Sequence, residues 1–335
     1  MSAAAVLDVQ DLDVVYDTAS GPARAVNKVS FALRPCQRLG LIGESGSGKT
    51  TMGTALMRLT RAPGRIVGGR IFLDGADILT LSSRELRATR LRNIALIPQG
   101  AMSALNPVMR LRAQMVDAIL AHEPRSKPAE LDARIAELLT RVGLDPVAAD
   151  RYPHELSGGM KQRAVMAIAT SLSPKVIVAD EPTSALDVVV QRQVMQTLGR
   201  LQTGLGAAVV LIGHDMGLIA QFADAVGVMY AGRLVEIGPV AAMIGAPRHP
   251  YTQLLIDSLP GIDTKRRLTG IPGLPPPLVK LPEGCPFAPR CPLAHDRCQS
   301  ELPVPQSVAS EHQVACHLYP EHGSLPPFRA AEAPA

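Results

Sequence analysis

The stretch GESGSGKT, residues 43–50, fits G-x-x-x-x-G-K-[ST] and lies between a strand-like run and a helical one, the setting a phosphate-binding loop requires. Gly43, Gly46 and Gly48 allow backbone N–H groups to converge, and with Glu44, Ser45 and Ser47 they form the turn a polyphosphate would enter. The helix start behind them adds a partial positive charge. Lys49 is expected to neutralise β- and γ-phosphates, Thr50 to offer its hydroxyl to Mg²⁺, and Thr51 to stand near the α-phosphate. A second stretch, VIVADE at 176–181, delivers Asp180 and Glu181 to the C-terminal edge of a sheet, where open α/β folds bind ligands. Asp180 is expected to hold Mg²⁺ through its water shell, and Glu181 to polarise an attacking water.

Between these lies LSGGMKQR, residues 156–163. Ser157 can cap the helix that follows, while Gly158 and Gly159 permit close approach of backbone to an anion. A second phosphate site more than a hundred residues from the first is useful if it serves the nucleotide of another subunit.

A different chemistry is gathered near the C-terminal end. Cys285, Cys291, Cys298 and Cys316, four of the five cysteines, are separated by five, six and seventeen residues. No pair has the C-x2-C spacing of a zinc ribbon, and ferredoxin spacings are missed as well. The pattern points to a metal site without naming the metal. His295, His312 and His317 lie nearby as substitute ligands, though surface histidines are the plainer reading.

The elements that must position these groups follow from periodicity. VLDVQDLDVVY, RLGLIG, RIFLDG and IALIPQ are strand candidates, and a helix is expected from the glycines of the phosphate loop through MGTALMRLT. From about 107 to 173 the spacing is helical. KVIVAD and AAVVLIG are short unalternating runs, the pattern of parallel strands buried on both faces, and AVGVMYAGRLVEIG reads as a hairpin. After about residue 260 the chain turns rich in Pro and Gly, which marks a boundary. The expected organisation is a cassette over 1–259 with a helical subdomain at about 100–173, a four-cysteine domain over 260–320, and a disordered tail at 321–335.

Composition sets the outer limits. The chain has 335 residues, 47% apolar and 3% aromatic with no Trp, which suits a compact α/β protein and not a base-stacking nucleic-acid reader. A net charge of +4 argues for no polyanionic partner. The N-terminus lacks a secretory pattern, and no apolar run approaches the length of about 18 residues that spans a bilayer. In the reducing compartment this implies, metal ligation is favoured over disulfides.

Taken in order, the motifs resemble those of the ATP-binding subunit of an ABC transporter, and the signature helix at 157–163 separates the chain from other P-loop proteins. The resemblance implies a P-loop NTPase fold of α/β class with a RecA-like core, an antiparallel β subdomain, a helical signature subdomain and a small cysteine-rich extension. It also implies that Tyr16 stacks on adenine, that Gln99 reaches Mg²⁺ and the attacking water, that Asp187 in SALD senses a partner subunit, and that His214 contacts the γ-phosphate. PQGAMSALNPVM, HPYTQLLIDSLP and the terminal cysteine pattern are similar to the oligopeptide, dipeptide and nickel importer group.

Membership in that group implies ATP and Mg²⁺, two transmembrane permease subunits, a related second ATPase subunit paired head to tail, a solute-binding protein acting indirectly, and a peripheral place on the cytoplasmic face of the inner membrane. For the four cysteines it implies a [4Fe–4S] cluster, with zinc and free thiols or disulfides as alternatives. Peptide import is the expected function; nickel or another small solute is the alternative. A redox-sensing or non-transport ABC ATPase is the remaining rival, opposed by the intact Glu181 and His214 and by the lack of a coiled-coil pattern.

Overall fold

Apolar side chains of the N-terminal stretch place Leu7, Val9, Leu12 and Val14 in the core without exposure, forming strand β1 (Leu7–Thr18). The register slips between Val9 and Leu12, where Asp11 takes φ 46°, so the inward phase is kept on both sides of the bulge. This computed structural model describes residues 4–100, 104–258, 270–309 and 311–319. The expected boundary near 260 and the expected tail at 321–335 fall largely or wholly outside the described residues.

The chain divides into two units, one of residues 1–79 with 212–335, the other of residues 80–211. In the first, β1 pairs antiparallel with β2 (Gly21–Leu33) on one side and β4 (Gly64–Leu73) on the other, and β5 (Ala76–Asp77) lies at the edge. A second set of strands centres on β3 (Arg38–Ile42), which runs parallel to β9 (Ala225–Tyr230) with Leu39 opposite Ala225 and Ile42 opposite Val228. The chain returns through Ala231 and Gly232, both at positive φ, into antiparallel β10 (Arg233–Pro239). The C-terminal strands β12 (His312–Val314) and β11 (Gln306–Ala309) then add to β10 in turn. Helices α7 (Met216–Phe222), α8 (Val240–Gly245), α9 (Pro250–Asp257) and α10 (Asp296–Ser300) complete this unit with α1 (Lys49–Ala55).

The second unit holds β6 (Ile94–Ile97) parallel to β7 (Val176–Asp180), all of whose residues are buried, and most of β8 (Ala208–Ile212). Its helices are α2 (Ser83–Thr89), α3 (Leu111–Leu120), α4 (Pro128–Arg141), α5 (Gly158–Ala169) and α6 (Val188–Leu205). Leu111, Met115 and Ile119 of α3 and Leu131, Ile135 and Leu138 of α4 recur at helical spacing and are buried.

Three sequence expectations change. The helix after the phosphate loop ends at Ala55 and does not run on through residue 60, because Arg58 takes φ 51° and turns the chain. Strand β2 was not expected, since GPARAVNKVSFAL mixes polar residues into its exposed half; it is nonetheless thirteen residues long. The strands β11 and β12 were also unexpected. Among the described residues no helix is long and apolar enough to cross a membrane.

Candidate functional site

The phosphate loop joins β3 to α1. Gly48 takes φ 102°, and a Cβ on it would lie 2.0 Å from the Ala25 carbonyl oxygen, so only glycine fits. The N-cap of α1, Gly48, has no side chain, and among the described residues no side-chain cap hydrogen bond is found there. An uncapped helix start behind a glycine turn is where the oxygens of an anionic ligand take over the capping role. The Lys49 ammonium is buried and donates to the carbonyl oxygens of Gly43 (2.7 Å) and Glu44 (2.9 Å) and to Ser47 Oγ (3.3 Å). Lys49 is therefore held inside the loop, where a phosphate would meet its ammonium.

Glu44 is gripped on three sides. Its carboxylate accepts a two-pronged ion pair from Arg290, its N–H donates to Tyr251 Oη at 2.8 Å, and its carbonyl accepts from Lys49. In this arrangement the Glu44 side chain is engaged by Arg290. Its share in phosphate binding is left to the backbone. Tyr16 is half-buried on β1, opposite Ala23 and Gly64, and its ring occupies the space a Gly64 Cβ would need. His214 is exposed between β8 and α7, next to Asp215, which caps α7 by accepting from Leu218 N–H.

In the second unit, β7 ends on buried Asp180, and Glu181 follows with φ 43°, a strained backbone for a residue with a Cβ. Gln99, exposed after β6, donates from Nε2 to Glu181 Oε2 at 2.8 Å. The parallel pairing of β6 with β7 brings these two strand ends together. Ser157 caps α5 by accepting from Met160 N–H at 3.3 Å, and Asp187 caps α6 by accepting from Val190 N–H at 3.0 Å. A Cβ on Gly159 would lie 2.5 Å from Val190 Cγ1, so this glycine lets α5 and α6 approach.

The four C-terminal cysteines line one pocket with His249, Phe287 and His317. Cys298 is buried and the other three are partly so. Burial pushes the thiol of Cys285 up, that of Cys291 up, and that of Cys316 up to about 11, while backbone N–H groups two residues on, at Phe287, Leu293 and Leu318, donate to these sulfurs and oppose the rise. Without a cation these three stay protonated at neutral pH. Among the described residues, no three or more His, Cys, Asp or Glu side chains are gathered for a single metal ion. Of the three histidines considered, His312 is committed elsewhere, donating from Nε2 to buried Glu236 at 2.6 Å.

Arg290 and Tyr251 escaped sequence reasoning. Arg290 lies 246 positions from Glu44, and no spacing rule joins them.

A glycine-rich phosphate loop on a parallel strand and an Asp-Glu pair at the end of another define a P-loop nucleotide hydrolase. Residues 26–184 match the ABC transporter family, and residues 235–298 match the oligopeptide/dipeptide transporter C-terminal region. The chain is 41% identical over 319 residues to the dipeptide transport ATP-binding protein DppD of Escherichia coli, covering 94% of this chain and 97% of that one. It is 43% identical over 303 residues to the oligopeptide transport ATP-binding protein OppD of Salmonella typhimurium, covering 89% and 90%. A dimeric ATP-binding cassette bound to ADP and Pi in a post-hydrolysis state superposes with TM-score 0.63 at 25% identity, over 70% of this chain and 98% of that one. The chain belongs to the ATP-binding proteins of the ABC transporter family and has their ATPase cassette fold.

Proposed function

We infer that this protein is the ATP-hydrolysing subunit of an importer for dipeptides or oligopeptides. The observation that carries the chemistry is the phosphate loop itself, with the buried Lys49 ammonium held inside it by the Gly43 and Glu44 carbonyls at the start of α1. The likeness to dipeptide and oligopeptide transport proteins over nearly the whole chain supports the solute class.

The site residues keep the roles their types suggest. Residues 43–51 wrap the phosphates, Tyr16 meets the adenine, and Thr50, Gln99 and Asp180 serve Mg²⁺. Glu181 orients the attacking water, with His214 at the γ-phosphate. Ser157, Gly158, Gly159 and Asp187 serve the nucleotide of a second ATPase subunit paired head to tail, and two permease subunits carry the solute at the inner membrane. Co-purified with its permeases, the protein should hydrolyse ATP faster when a dipeptide-loaded binding protein is added. Stimulation by nickel chelates and not by peptides would replace the solute assignment.

A second reading concerns the extension at 270–319. The four cysteines there are proposed as ligands of a [4Fe–4S] cluster, supported by their lining of one pocket and by the N–H donors aimed at three of the sulfurs. A four-iron cluster places each thiolate on a separate iron, so its ligands need not converge on one point. When bound, it would supply the positive charge that lets these buried thiols ionise, and would staple the extension to the cassette. Anaerobically purified protein should be brown, with about four irons and four sulfides per chain; colourless, zinc-loaded protein would overturn the assignment.

A further inference from the structure

Arg290 sits between Cys285 and Cys291 in sequence and is almost wholly buried, its side chain 4% exposed. A guanidinium has five N–H donors in a fixed fork, and each finds an acceptor. Nη1 donates to Glu44 Oε2 at 2.6 Å and Tyr230 Oη at 3.2 Å. Nη2 donates to Glu44 Oε1 at 2.9 Å and the Ile271 carbonyl at 3.3 Å, and Nε donates to the Pro272 carbonyl at 2.8 Å. The rings of Tyr230 and Phe287 lie against the guanidinium, 5.7 and 6.0 Å from its carbon.

Two features make this more than a structural tie. Glu44 belongs to the phosphate loop, and its carbonyl is one of the acceptors that hold the Lys49 ammonium in place. The Pro-rich segment held by Arg290 continues to residues 275–278, which line a pocket together with Glu44, Ser45, Gly46 and Ser47. Phe287, on the rim of the cysteine pocket, also packs against Tyr251, whose hydroxyl takes the Glu44 N–H. Both the charge and the ring of this short segment thus converge on one loop residue.

We propose that Arg290 is a positioning residue for nucleotide binding: through Glu44 it holds the phosphate loop in its receptive shape, making ATP affinity depend on the four-cysteine segment. The inference rests on the phosphate loop being the nucleotide site. Charge and fork geometry are both required, so lysine cannot replace arginine here.

The test is equilibrium binding of a fluorescent ATP analogue with Mg²⁺ to the full-length chain, well below its melting temperature. Arg290→Gln should weaken binding by about tenfold or more, the size of a lost charge-assisted hydrogen bond. Glu44→Gln should do the same, and the double variant should be no weaker than the worse single one. In turnover, KM for ATP should rise by more than kcat falls. Arg290→Lys, which keeps the charge, should still lose affinity and serves if Arg290→Gln does not fold. Wild-type affinity in the Arg290 variants, or additive losses in the double variant, would overturn the proposal. Lys49→Ala separates the two readings: if it abolishes binding while the Arg290 variants bind normally, only the positioning role fails, and if it binds normally the nucleotide site itself is misassigned.

Discussion

Gln99 donates from its side-chain amide to Glu181 at 2.8 Å, and Glu181 meets it from a backbone at φ 43°. A donor on one carboxylate oxygen and a strained backbone beneath it together fix where the side chain points. The pair is an orienting device whose cost is borne by the parallel strands beneath it.

Glu181→Gln is therefore expected to bind ATP normally and to lower turnover by a factor of roughly 10²–10⁴, the range for loss of a general base. Gln99→Ala should lower kcat by about tenfold, as expected for one hydrogen bond to a charged group. The double variant should lose less than the product of the two single losses, because part of what Gln99 does passes through the carboxylate it orients. Steady-state hydrolysis by the assembled transporter checks all three, and near wild-type turnover of Glu181→Gln would remove it from this role.

Acid should weaken the fold through His249. Its imidazole is buried, accepts the Tyr251 N–H on Nδ1 as the cap of α9, and is held by burial at a pKa of about 4, against the weaker upward pull of Glu236. The unfolded chain takes up this proton as pH falls below about 6.5, whereas the folded chain stays neutral until much lower. Stability is thus complete above that pH and is lost progressively toward pH 4, by about 3 kcal/mol across the window. His249→Asn keeps an acceptor for the cap without titrating. Melting temperatures between pH 7.5 and 4.5 should fall less steeply in that variant; equal slopes would refute the account.

The legible parts of this protein were those whose chemistry is local. The phosphate loop, the strand ending in Asp180 and Glu181, and the parallel runs of β7 and β8 each state their role within ten residues. Strand β2 was hidden because its outer half faces water and takes polar residues freely, so neither period dominates. The capping box of α2, where Ser82 and Glu85 exchange hydrogen bonds, was readable as S-x-x-E but went unused. The Arg290 contacts could not have been read at all, because no local pattern pairs a loop glutamate with an arginine 246 residues away.

Gly48→Ala should damage binding more than stability. The new Cβ would meet the Ala25 carbonyl at 2.0 Å and demand φ 102° of an alanine, so the loop must shift. The core beneath is untouched, so nucleotide affinity should drop at least tenfold, a backbone strain of about 1–3 kcal/mol being spent where phosphate is held. Binding titrations beside thermal melts distinguish this from unfolding, and unchanged affinity would show that the loop adapts.

The α5–α6 contact offers a test that needs no nucleotide. A Cβ at Gly159 would come within 2.5 Å of Val190 Cγ1, and Val190 is fixed in place by the Asp187 cap that receives its N–H. Helix propensity alone would favour alanine over glycine by about 1 kcal/mol. Steric overlap opposes that gain, and overpacking typically costs about 1–3 kcal/mol. Gly159→Ala is expected to lower the melting temperature, and adding Val190→Ala should restore it or raise it above wild type, because the obstacle is gone while the propensity gain remains. A Gly159→Ala protein as stable as wild type would mean that Val190 swings aside at no cost, and that the glycine is there for the approach of an anion and not for the packing of the two helices.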